Sequence, residues 1–182
     1  MNPKVEKALN EQMHAEFFSF YLYLSVAAYF TALHLDGFAH WMRIQAQEEL
    51  AHAMKLFDYI NERGGMVELM ALEAPQREWP SPSAAIEAVL EHEKFITGKI
   101  NELASLAFSE NDFTTFNFLQ WFIEEQDYQE AICPGEEPDC HRFTNDTEDA
   151  LVYFDGNVPT MFLRLRHQPP WYWTPCAWTR SW

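Results

Sequence analysis

Apolar residues recur along the chain at spacings of three and four, the period of a helix face. The first such row reads Val5, Leu9, Gln12, Glu16, Phe20, Tyr23, Ala27 and Phe30, and predicts a helix over residues 4–34. Asp36-Gly37 is the expected break. The second row, Phe38, Met42, Gln45, Glu49, His52, Leu56 and Tyr59, predicts a helix over 38–63 that ends at Gly64-Gly65. The third, Ile86, Val89, Glu93, Ile96, Ile100, Leu103 and Ala107, follows an expected N-cap at Ser83 and runs to Ser109. After the turn at Asn111-Asp112, a fourth helix begins near Phe113 and turns Phe116, Leu119, Phe122, Ile123 and Gln126 inward. Cys133-Pro134-Gly135 is its expected stop.

Short turns join helices 1 and 2, and helices 3 and 4, which makes each pair antiparallel neighbours. Residues 66–82 are different. They show no helical period and contain Pro75, Trp79, Pro80 and Pro82. Extended, such a stretch reaches about 56 Å, while the second helix is about 39 Å long. It is therefore long enough to return the chain to the other end of a bundle, so that helix 3 starts where helix 2 starts. The expected fold is all-α: a four-helix bundle with a long crossover between helices 2 and 3, followed by an irregular tail. The expected division is a bundle over 1–132 and an extension over 133–182.

Each of the first three inward rows contains a carboxylate where an apolar residue belongs, and the fourth carries Gln126. Glu49 and His52 form a Glu-x-x-His pair, one helical turn apart on one face. Counting the rise from the turns puts Glu16, Glu49, His52, Glu93 and Gln126 near one level, midway along the bundle. One such residue is easily a surface position; several at one level are not. Carboxylates gathered in a dry core repel one another unless cations join them. Three carboxylates and one imidazole, with no thiolate nearby, suit a hard-to-borderline divalent metal. The set fits two metals bridged by Glu49, half of the di-iron pattern in which two helices each supply Glu-x-x-His. Gln126 stands where the second such motif is absent, so one metal is held loosely, as suits a site through which iron passes.

Composition narrows the function classes. Asp and Glu number 28 against 12 Lys and Arg, a net charge of −16. That argues against nucleic acid, whose phosphates require basic residues, and suits a protein that attracts cations. The most apolar run, residues 17–30, is too short to span a bilayer, and no signal peptide is visible, so a cytoplasmic protein with no membrane partner is expected.

These residues carry a resemblance. Residues 1–126 resemble the non-haem ferritins of bacteria and archaea. The matching stretches are Ala8-Leu9-Asn10-Glu11-Gln12, Tyr21-Leu22-Tyr23-Leu24-Ser25, Ala46-Gln47-Glu48-Glu49-Leu50-Ala51-His52-Ala53-Met54, Glu62-Arg63-Gly64-Gly65, and Asn117-Phe118-Leu119-Gln120-Trp121-Phe122 with Glu125-Gln126. The resemblance implies a ferritin-like bundle and a ferroxidase that oxidises Fe(II) with O2 or H2O2 and stores ferric mineral in a shell of 24 subunits. It implies Glu16, Glu49 and His52 as the first iron site, and Glu93 as the second, with Glu49 bridging and Gln126 beside the pair. It implies Glu48 and Glu125 as ligands of a third, outer site. Tyr23 matches a tyrosine that supplies an electron during oxygen reduction; packing with a satisfied hydroxyl is its alternative role. Trp121 reads as structural, and His92, one step off the inward row, as solvent-facing. No haem is expected, because Leu50 stands where a bacterioferritin carries its haem-ligating methionine. Two other functions stay open: a structural ferritin-like subunit with impaired assembly, and a di-iron oxidase or oxygenase acting on another substrate.

Beyond Gln126 the chain departs from the family. Residues 127–182 hold Cys133, Cys140 and Cys176, six prolines, and Trp171, Trp173, Trp178 and Trp182. The run Tyr128-Gln129-Glu130 removes two ligands expected at the outer site, and no fifth helix is recognisable, which leaves shell closure open. One account is a natural extension that covers the exposed groove, with Cys133, Cys140, His141 and Cys176 on a metal. The other is a reading-frame change after about Gln126, which the abrupt shift in composition within one helix favours.

Overall fold

The computed structural model describes residues 1–130 and contains four helices there: α1 (Pro3–Ala32), α2 (Asp36–Glu62), α3 (Pro82–Ser109) and α4 (Phe113–Glu130). The tail, its cysteines and His141, the expected stop at Cys133 and the question of a fifth helix lie outside the described residues.

Local chemistry sets the helix ends. Asn2 caps α1 by accepting the Lys4 N–H, and Pro3 occupies the first turn, where its missing N–H costs nothing. The first three helices end alike. His34, Gly64 and Asn111 adopt left-handed φ of 58°, 70° and 58°. Each is followed by a backbone N–H that reaches five residues back: Leu35 to Phe30, Gly65 to Ile60, Asp112 to Ala107. The break after α1 thus falls at His34, and the expected break at Asp36-Gly37 is corrected: both residues belong to the first turn of α2. The cap of α3 is likewise Ser81, whose Oγ accepts the Ala84 N–H at 3.1 Å, and not Ser83. Pro82 explains the shift, because its fixed φ suits the first helical position. Asp112 caps α4 through the Thr115 N–H at 3.1 Å.

Residues 66–81 run along α1. Asn10 Nδ2 donates to the Met66 carbonyl and Asn10 Oδ1 accepts the Glu68 N–H. Farther up, His14 meets the Ala71 carbonyl, Ser25 the Gln76 carbonyl and Tyr29 the Trp79 carbonyl. The crossover therefore rises from the start of α1 to its end, and α3 runs parallel to α2. Gly65 permits the first step: a Cβ there would sit 3.1 Å from Ile60 Cγ2 and 3.2 Å from Glu6 Oε2.

α1 packs along α2 and α3, and α4 along α3. The predicted inward rows are buried almost throughout, with Phe20, Ile86, Phe116 and Ile123 half-buried. The apolar interior is divided into two clusters. One gathers Tyr23, Phe30, Phe38, Met42, Trp79 and Val89. The other gathers Leu9, Leu56, Ile60, Ile100, Leu119 and Phe122. Between them lies a buried polar layer that contains Gln12, Glu16, Ser19, Glu49, His52, Glu93 and Gln126.

Candidate metal centre

α1 contributes Glu16 and Tyr23, seven residues apart and hence on one face. α2 contributes Glu49 and His52, α3 Glu93, and α4 Gln126. One donor atom from each of Glu16, Glu49 and His52 lies within 4.8 Å of the other two, and all three residues are buried. His52 Nδ1 is 3.7 Å from Glu49 Oε1. Gln12, one turn before Glu16, donates its amide to Glu16 Oε1 at 2.8 Å.

Glu93 does not join the 4.8 Å set, yet it belongs to the same layer. The buried Tyr23 hydroxyl donates to Glu93 Oε1. Thr97 Oγ1 donates to Gln126 Oε1 at 2.8 Å, which fixes that amide beside Glu93. Glu48 and Glu125 are half-buried and feel each other's charge. The Trp121 ring stands edge-on to His52 at 5.5 Å and 81°, with Lys55 Nζ 3.9 Å from its centroid.

The electrostatics of this layer are those of acids deprived of water. Burial drives the Glu16 carboxyl well above the usual range, and the nearby Glu49 carboxylate adds to it. Burial also pushes Glu93 up to about 7, with Glu16 adding, against the opposing hydrogen bonds from Tyr23 and Gln126 and the pull of His52. Glu48 rises to about 7, first from burial. The Tyr23 phenol is raised by burial and by the carboxylates around it. Buried Glu16 Oε2, Glu93 Oε2 and His52 Nδ1 have no hydrogen-bond partner within the protein. Unsatisfied acceptors at this density are expensive in a dry interior. Two carboxylate oxygens and an imidazole nitrogen, all lacking donors and all turned into one layer, fit a divalent cation bound through oxygen and nitrogen.

Three residues here carry little or misleading signal in the sequence. Gln12 was an inward position without a role, although its place four residues before Glu16 marks it as a partner. Ser19 gives no signal in the sequence alone. His92 corrects its expected solvent exposure: Nε2 lies 2.8 Å from Ser19 Oγ, and the ring packs against Phe18, Tyr23 and Phe95. Burial lowers its imidazole to about 4. α3 faces α1 on one side and α4 on the other, so more than one row of α3 is covered.

Comparison with known proteins agrees with this architecture. Residues 6–133 match the ferritin-like domain family. A probable bacterial non-haem ferritin-like protein of Haemophilus influenzae is 44% identical over 132 residues, covering 72% of this chain and 80% of that protein. A bacterial non-haem ferritin of Bacteroides fragilis is 38% identical over 135 residues, covering 74% and 85%. Among solved structures, an open-pore ferritin of the archaeon Archaeoglobus fulgidus aligns with a TM-score of 0.71 and 54% identity, over 72% of this chain and 81% of that one. Chlorobium tepidum ferritin aligns with a TM-score of 0.70 and 41% identity, over 71% and 80%.

Proposed function

Because the chain belongs to the ferritin family, we propose that it stores and detoxifies iron, oxidising Fe(II) within the bundle and depositing ferric mineral inside a self-assembled shell. The observation that carries this reading is the buried set of Glu16, Glu49 and His52 within 4.8 Å, with Glu93 in the same layer. Fe(II) is the substrate. Glu16 and His52 hold one ion, Glu93 the other, and Glu49 bridges them, with Gln126 beside the pair. In the metal-free protein burial raises both the Glu16 and the Glu93 carboxyls and so favours their protonated forms. Ion binding therefore displaces protons from these carboxyls. Each Fe(II) loses one electron, so two ions reduce dioxygen to hydrogen peroxide with uptake of two protons, or hydrogen peroxide to two waters with uptake of two protons. The carboxylates offset the ferric charge that develops, an electrostatic contribution to the barrier. Tyr23, hydrogen-bonded to Glu93, stands where an electron can pass to oxygen.

Gln126 is a neutral ligand in a layer otherwise rich in carboxylates, so the ion beside it is held weakly and leaves after oxidation. Glu48 and Glu125 lie where a departing cation meets further carboxylates. Residues 1–132 form the working unit in this reading, and the setting is the cytoplasm.

Stopped-flow oxidation of Fe(II), followed by absorbance of the ferric product, tests the proposal. Glu49→Ala is expected to slow the rapid phase at least a hundredfold, on the order of the loss that follows removal of a main electrostatic contributor. Equal rates for the variant and the unsubstituted chain would refute it.

A further inference from the structure

The clamp between Ser19 and His92 has a defined direction. Ser19 Oγ lies 3.1 Å from the Ala15 carbonyl and donates its single proton there. Its 2.8 Å contact with His92 Nε2 must then be an N–H donated by the imidazole. This assigns the Nε2–H tautomer and makes a one-way bond from α3 to α1. Ser19 is fully buried. The Tyr23 ring meets the imidazole edge-on, at 5.9 Å and 84°, and Phe18 and Phe95 frame the same ring at 5.8 and 6.0 Å.

Its position gives the clamp a use. On α1, Ser19 lies three residues after Glu16 and four before Tyr23, between two groups that α1 contributes to the centre. On α3, His92 immediately precedes Glu93. Rotation of α3 about its axis would swing Glu93 away from the Tyr23 hydroxyl, and among the described residues two polar side-chain ties join α1 to α3 at this height, Tyr23 to Glu93 itself and His92 to Ser19.

We propose that Ser19 and His92 are a positioning pair for the α3 half of the centre, holding α3 in the rotation that seats Glu93 on Tyr23. The inference rests on the two-ion reading above. It separates the halves of the centre: Glu16, Glu49 and His52 are set by α1 and α2, while Glu93 depends on the α1–α3 clamp.

Anaerobic titration of the metal-free full chain with Co(II), by calorimetry and visible absorption, tests the pair without any turnover. The unsubstituted protein is expected to bind two ions per subunit. Ser19→Ala and His92→Phe should each retain one ion at unchanged affinity and weaken the other roughly tenfold, the usual scale for loss of a group that orients a ligand. The phenyl ring keeps the aromatic packing and removes only the donor. His92→Gln, whose amide N–H can take the place of Nε2–H, should restore the second ion; a packing role alone would not be rescued this way. Glu93→Ala marks the second ion and Glu49→Ala the shared one. Two ions at unchanged affinity in Ser19→Ala would overturn the pair while leaving the centre intact. Should His92→Phe fail to fold, Ser19→Ala decides alone, since it keeps the ring. Two ions at unchanged affinity in Glu49→Ala would instead overturn the two-ion reading itself.

Discussion

Glu93→Gln is the most informative single change to the metal-free protein. The carboxyl is 2% exposed, and burial raises it from 4.5 to about 7. A rise of that size corresponds to about 3 kcal/mol of preference for the protonated acid in the folded state. The sign follows from linkage. Between pH 4.5 and 7 the folded chain binds the proton that the unfolded chain has released, so the stability of the fold falls as pH rises through that window. The contribution is fully present below pH 4.5 and gone above about 7. Glutamine keeps the shape of the protonated acid and an oxygen that accepts from Tyr23, and it never ionises. At pH 5 the variant and the unsubstituted chain should therefore unfold at nearly the same temperature. At pH 8 the variant should be more stable by about 3 kcal/mol, or about 10 °C in a domain of this size. Far-UV circular dichroism melts of chelator-treated protein at half-unit steps from pH 5 to 8 give both curves. Comparing the two proteins at each pH removes the general effect of a net charge of −16. A constant difference across the range, or a variant less stable at pH 8, would refute the claim that Glu93 is an acid held out of water.

Two further outcomes concern the scaffold. Asp112 caps α4, accepts from Thr115 Oγ1 at 2.8 Å and meets Arg63 Nη2 at 3.2 Å; Asp112→Ala should lower stability by about 2 kcal/mol, measured by urea denaturation. Asn10→Ala removes two ties to the crossover and should expose it to a Glu-specific protease at Glu68 and Glu73, with cleavage faster than in the unsubstituted chain while the helices persist by circular dichroism.

The parts legible in sequence were those that depend on helical regularity. A constant rise per residue let Glu16, Glu49, His52, Glu93 and Gln126 be placed at one height, and all five are buried in one layer. The reach of residues 66–82 foretold the crossover. The misses share a different cause. His34 takes a left-handed conformation more usual for glycine, so the sequence pattern points instead to a break at Asp36-Gly37. Pro82 moved a cap from one serine to another two residues away. His92 sits at the edge of a face that two neighbours cover, where a single inward row underestimates burial. Ser19 is silent in sequence because a hydroxyl's meaning depends on what the adjacent helix brings to it.

The division of the interior also bears on how the chain opens. Two dry clusters separated by charged and amide groups are joined mainly by the helices that pass through both. Without cations the middle layer is a weak seam, and breathing at one end need not propagate to the other. Ions held there as proposed would tie all four helices at once and raise stability with their occupancy. Under the proposed function, iron passing through the bundle would act as a temporary rivet: the subunit would be most cooperative while loaded and would loosen as its cargo leaves.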